Sequence, residues 1–345
     1  MTTVFSNIGT LFFIIVIGYL AVHLKLFSHD GLKILGKYVL TLALPALIFQ
    51  SIVKQGPTEI LNFGYLGGYL IGSLSTLIIG YLSLRIIWKS SQITSTFVAT
   101  GMACANSGFI GYPLLFIILP SVASTSLSLN MIVENLIIIP LILIMAEKAT
   151  ASNLNLISLS KLILNRLATN PIILSMVIAI LVTIFKVQLP LFLNNGINVI
   201  SQSSVAVSLF VIGGTIAKIS ITSVNKNVII VVIGKLFLLP AAVWAGLYIM
   251  EMVGYPIDNP DLHKAAIIMA ATPAMSIYTV LALKYGQEDL GNVVPRSYRC
   301  VLSLPALSHS AEQALPSDLI LSCSTDNLSP VPVSNNVPSR QQKLP

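Results

Sequence analysis

Apolar stretches, each about as long as a bilayer crossing, alternate with short polar links along most of this chain. They fall at about Phe5–Leu24, Leu32–Val53, Leu61–Ile86, Thr94–Leu119, Leu127–Met145, Leu162–Phe185, Leu191–Ile216, Val228–Met250 and Ala265–Lys284. A helix needs roughly 20 apolar residues to cross the hydrocarbon core, so the pattern predicts nine helical spans, numbered 1–9 in that order. The polar link Glu147–Ser160 divides five spans from four.

Two spans are interrupted. Within span 4, Asn106, Ser107, Gly108, Gly111 and Pro113 crowd together. Pro113 lacks an N–H and clashes with the carbonyl four residues back, which predicts a broken ladder near Phe109. Gly108 and Gly111 offer cheap departures from helical geometry. Span 9 carries Ala271-Thr272-Pro273-Ala274-Met275-Ser276 at mid-depth. Each break lies in the fourth span of its set, and an odd number of spans per set makes the two copies run in opposite directions. A kinked helix with small residues for close packing would explain span 4 alone. Matched breaks point instead to a midplane site between inverted repeats. Asn106 and Ser107, with Gly108 beside them, offer polar groups at the first break. Thr272, Ser276 and Tyr278 do so at the second, and half-helix N-termini there can aim N–H groups at a carboxylate.

Composition narrows the class. The chain is 55% hydrophobic and 9% charged, with mean hydropathy +0.89, against roughly 25% charged residues in soluble domains. It reads as a multi-pass integral membrane protein. No nucleotide loop, nucleophile motif or paired catalytic carboxylates point to an enzyme. The net charge of +7 reads as loop charge and not as a nucleic-acid footprint. With the N-terminus outside, inward loops and their flanks hold Lys25, Lys33, Lys37, Arg85, Lys89, Lys148, Lys161, Arg166, Lys218, Lys226 and Lys284. Outward ones hold only Lys54, Lys186 and Lys264, a positive-inside bias that fixes this orientation. Neither the cysteines nor the histidines have ligand spacing, so no metal and no cofactor are expected. The first span lacks a basic leader region and cleavage site and reads as retained.

Two charges fall inside spans. Glu134 sits near the centre of span 5, where a carboxylate is costly and is a functional candidate by default; a hydrogen-bonded helix lock is the alternative. Lys235 lies in span 8 and can snorkel, neutralise Glu134 or meet an anion. Pro45, Pro140, Pro171 and Pro240 read as kinks. Beyond Gln287 the pattern changes. Gly291–Pro345 is rich in Ser and Pro, has no apolar run near the ~20 residues of a span, and reads as disordered. It is either a polar extension or, as the repeat logic favours, a shifted reading frame in place of a tenth span. The organisation expected is a first repeat at 1–146, a cytoplasmic link at 147–160, a second repeat at 161–290 and the tail at 291–345.

These residues resemble the auxin efflux carrier family, in particular its bacterial malonate-carrier-like branch. The likeness rests on Asn106-Ser-Gly-Phe-Ile-Gly-Tyr-Pro-Leu114, Val133-Glu-Asn135 followed by Pro140, and Leu44-Pro-Ala-Leu-Ile48. It continues with Leu209-Phe-Val-Ile-Gly213, Gly234-Lys-Leu236 before Pro240, Pro273 and Leu281-Ala-Leu-Lys-Tyr-Gly286, and covers about Met1–Leu290. The resemblance implies an all-α polytopic fold of two inverted five-helix repeats, here without the last helix, in which the broken spans 4 and 9 cross. It implies a scaffold of spans 1, 2, 6 and 7 and a moving unit of spans 3–5 and 8–10. It also implies elevator-type secondary transport of a small organic anion such as malonate, in a bacterial inner membrane. Asn106, Ser107 and Pro113, with Thr272 and Pro273, would line the crossing. Bile-acid-type sodium symporters share the broad fold, so coupling to H⁺ or Na⁺ stays open, as does a homodimer. A non-transporting sensor on the same scaffold, or a defective permease, is the competing reading.

Overall fold

The structure, a computed structural model, describes residues 2–55, 62–150, 156–217 and 226–275, together with Ala282 and Tyr285. Ser276, Tyr278, most of the second half of span 9 and the whole of 291–345 lie outside the described residues. The described part is helical throughout, with no strand beyond one isolated bridge. Five helices are long and apolar enough to cross a membrane: 30–54, 63–86, 120–150, 191–216 and 226–252. A sixth candidate, span 6, is bent by 65° between Thr169 and Pro171. Span 1 is the helix Thr2–His23. This is an integral membrane protein, and helices occupy the apolar stretches of the sequence as far as those stretches are described.

Polar caps set where several helices begin. Ser28 accepts from the Gly31 N–H, Asn62 from Tyr65, Ser91 from Thr94, Asn170 from Ile172 and Asn259 from Asp261 and Leu262. Each satisfies an N–H that the first helical turn leaves without a partner.

The prolines act differently from simple kinks. Spans 2, 4, 5 and 8 each contain a five-residue π turn, at Val39–Ala43, Ser107–Gly111, Glu134–Ile138 and Gly234–Leu238. In every case the second residue after the turn is a proline: Pro45, Pro113, Pro140 and Pro240. The residue just before the proline closes the turn by donating five residues back: Leu44 to Val39, Tyr112 to Ser107, Ile139 to Glu134 and Leu239 to Gly234. A proline offers no N–H and crowds the carbonyl four residues earlier. Widening the preceding turn by one residue relieves the clash and keeps neighbouring groups bonded inside hydrocarbon. Pro171 opens the second half of span 6 at the 65° bend, where a missing N–H costs nothing.

Contacts sort the helices into two bundles. Span 7 packs on spans 1 and 2, and span 2 packs on span 6. Span 3 packs on spans 4 and 8, and span 9 packs on spans 5 and 8. Small residues make the closest of these approaches. A Cβ at Gly72 would meet Val243 at 2.6 Å, and one at Gly246 would meet the Gly68 carbonyl oxygen at 2.4 Å, so spans 3 and 8 touch backbone to backbone. The bundles meet where span 2 packs on span 5 and where the second half of span 4 packs on spans 1 and 7.

Candidate functional site

The helical ladder of span 4 breaks at Cys104–Asn106, earlier than Pro113 alone predicts, because the π turn absorbs the proline. The break is held by its counterpart in span 9. Ala105 and Ala274 form an antiparallel bridge, and the Asn106 N–H donates to the Pro273 carbonyl at 2.9 Å. Backbone groups freed by one break therefore satisfy the other. The glycines serve space and not unusual dihedrals, since neither Gly108 nor Gly111 has a positive φ. A Cβ would meet Leu44 Cδ1 at 2.6 Å from Gly108 and Met269 Sδ at 2.3 Å from Gly111.

A polar network runs behind the break. Tyr65 Oη lies 2.6 Å from Ser126 Oγ and donates to Asn130 Oδ1 at 2.8 Å. Asn130 Nδ2 donates to Ser107 Oγ at 3.1 Å, and Ser107 Oγ donates to Glu134 Oε1 at 2.8 Å. Tyr69 Oη donates to the same oxygen at 3.2 Å. Asn130 and Glu134 share a face of span 5, and Tyr65 and Tyr69 share a face of span 3, each pair four residues apart. All of these side chains are buried. The Ala105 amide lies toward the carboxylate without a bond of good geometry, and Glu134 Oε2 has no hydrogen bond.

In front of the break is a cavity of about 300 Å³. Leu40, Thr41 and Leu44 of span 2 face Ala105–Phe109 across it, with Met131, Glu134 and Asn135 of span 5, Thr169–Ile172 at the bend of span 6, and Met275. Three of the four π turns contribute walls. Asn170 joins the bundles across this space, donating from Nδ2 to Asn135 Oδ1 at 3.1 Å while its own Oδ1 caps the Ile172 N–H. Asn170→Ala is expected to cost about 1 kcal/mol, the loss of one cap, read as a lower Tm. An unchanged Tm would mean that the bend does not depend on that cap.

The structure gathers Asn106, Ser107, Gly108 and Glu134 in this cavity. Pro113 is buried in the helix beyond, outside the walls. Thr272 is also off the walls, donating from Oγ1 to the Met269 carbonyl at 2.7 Å, and Pro273 contributes its carbonyl to the bridge. Ser276 lies outside the described residues. Lys235 is 1% exposed, so it does not snorkel. Its Nζ has no hydrogen bond, and no ion pair with Glu134 forms. The π turn that carries Lys235 packs on spans 3, 4 and 9, which explains the missing contact with span 5. Sequence reading overlooked Tyr65, Tyr69 and Asn130; the spacing of Asn130 from Glu134 was the available signal.

Comparison with known proteins gives two findings. The chain matches the family described as membrane transport protein over residues 3–294. It is 24% identical over 316 residues to a protein of Rhizobium meliloti (strain 1021) named "Putative malonate transporter", covering 89% of this chain and 96% of that one.

Proposed function

We propose a substrate class and a mechanism for this chain, which belongs to the membrane transport protein family, the family of the auxin efflux carriers. It is a membrane transporter. Its substrate, in our reading, is a small organic anion of the malonate type, bound in the cavity at the paired breaks. One observation carries this: the N-terminus of the second half of span 4, capped by Asn106, opens on a compact space with apolar walls. The positive end of a half-helix suits a carboxylate, and the walls of Leu40, Leu44, Phe109 and Ile172 suit a short carbon chain. The name of the Rhizobium relative supports malonate as the first compound to try.

The mechanism proposed is an elevator, in which the bundle of spans 3–5, 8 and 9 moves against spans 1, 2, 6 and 7. Helix contacts support it. In an inverted repeat, the pairing of span 1 with span 7 should reappear as span 6 with span 2, and both pairs are present. Spans 4 and 9 are then equivalent partners, consistent with their mutual bridge. Asn106, Ser107 and Gly108 would bind the anion, with Pro113, Thr272 and Pro273 shaping the crossing. The orientation proposed has the N-terminus outside a bacterial inner membrane. Exchange of labelled malonate by the full chain in proteoliposomes tests the reading. Exchange inhibited by other short carboxylates is expected. A carrier that exchanges none of a panel of mono- and dicarboxylates would sink it.

A further inference from the structure

We infer that Glu134 carries a proton together with the anion, so that the two enter as a pair. This rests on the anion reading above and names the coupling ion of the same site. Four observations support it. Glu134 lines the cavity, so its carboxyl can exchange protons with whatever water the cavity admits. Oε1 accepts from Ser107 and Tyr69, while Oε2 is buried without a hydrogen bond, an unsatisfied oxygen that a proton would neutralise. Ser107 belongs to the same break that would hold the anion, so the protonation state of Glu134 is felt where the anion sits. Finally, no cation forms an ion pair with Glu134 among the described residues, since Lys235 is buried on span 8 without reaching it, so nothing but a proton cancels the carboxylate's charge directly.

Charge arithmetic then sets the direction. With Glu134 ionised, a carboxylate faces the cavity with no ion pair to neutralise it, so an incoming anion meets a like charge. Once a proton sits on Oε2, that like charge is gone, and the half-helix N-terminus at Ser107 meets the anion unopposed in a space where little water screens it. Proton and anion therefore promote each other's binding, by the reciprocity that any such linkage obeys. The other titratable groups around Glu134 are Tyr65 and Tyr69 of span 3 and Cys104 of span 4, neutral in their ordinary forms. Among the described residues, the walls from spans 2 and 6 supply no titratable side chain. A sodium ion is a poorer fit here, since a single carboxylate oxygen without a hydrogen bond is a thin ligand set for a hard cation.

The test uses the purified full-length chain and malonate, at pH values above the range in which malonate itself titrates. Binding to the parent protein is expected to weaken with rising pH, by up to about tenfold per unit, as uptake of one proton with each anion requires. A flat profile overturns the proposal. Glu134→Gln mimics the protonated carboxyl. It should bind malonate independently of pH and at least about tenfold more tightly than the parent at the alkaline end. A Glu134→Gln protein that keeps the parent's slope overturns the assignment to this residue; if that variant does not fold, the parent's profile still decides. In proteoliposomes a pH gradient, acid on the malonate side, should drive accumulation without sodium. Accumulation driven by a sodium gradient alone overturns the proton. If no carboxylate binds to the parent at any pH, the anion reading fails and the proton falls with it, whereas binding with a flat profile removes the proton only.

Discussion

Asn106→Leu is expected to reduce affinity for short carboxylates about a hundredfold or more, equivalent to about 2.7 kcal/mol, and to lower stability as well. The stability loss follows from the geometry. Asn106 Oδ1 accepts from the Phe109 N–H at 3.3 Å and so caps the second half of span 4. Leucine removes that acceptor, at a cost of about 1 kcal/mol for a lost cap and about 1–3 kcal/mol if the N–H is left buried and unsatisfied. The binding loss is separable by a second variant. Asn106→Asp keeps an oxygen for the Phe109 N–H but adds a carboxylate to a cavity that already contains Glu134. It should retain more of the parent's Tm than Asn106→Leu while binding malonate no better. An Asn106→Asp protein with parental affinity would place the anion somewhere other than this break.

The spans were legible because a bilayer leaves few options: a helix must be long, apolar and internally bonded. The two breaks were legible for the same reason, since Asn, Ser and Pro at mid-depth are costly unless something receives them. What could not be read locally was where the ladder of span 4 opens. Pro113 suggested Phe109, yet the opening is at Cys104–Asn106, set by the pairing of Ala105 with Ala274 more than 150 residues away in sequence. Nor could the π turns be seen, because one extra residue in a turn leaves an apolar pattern intact. Their sign in retrospect is the proline two residues on.

Glu134 and Lys235 illustrate a second limit. Counting residues along each helix places both at neighbouring depths, at 1.5 Å per residue. Depth says nothing of the direction each side chain takes around its helix axis. The π turn at Gly234–Leu238 shifts that direction again, and Lys235 ends among spans 3, 4 and 9 instead of against Glu134. The polar network has the same character. Tyr65 and Tyr69 look like ordinary membrane tyrosines in sequence, and only the packing of span 3 on span 5 brings their hydroxyls to Asn130 and Glu134.

Gly213→Val is expected to destabilise the fold by about 3 kcal/mol, the upper end of overpacking costs, and to lower the yield of monodisperse protein. A Cβ at Gly213 would lie 1.9 Å from the Ile15 carbonyl oxygen and 2.9 Å from the Tyr19 nitrogen. Both obstacles are backbone, so no rotamer change on span 1 can make room. The same interface is sealed from its other side by Gly18, whose Cβ would lie 2.2 Å from the Phe210 carbonyl oxygen. Valine adds a branched side chain to that clash, and spans 1 and 7 must part. Gly196, on the same helix but exposed with nothing within 4 Å of its Cβ, provides the control. Gly196→Ala should be neutral or stabilise by about 0.5–1 kcal/mol, because glycine is unfavourable inside a helix. If the clash is the cause, Gly18→Val and Gly213→Val together should cost less than the two single losses added, since the first to part the helices makes room for the second. Thermal unfolding of the two single valine variants, their combination and the Gly196→Ala control decides it. A Gly213→Val protein that melts with the parent would mean that spans 1 and 7 do not meet backbone to backbone.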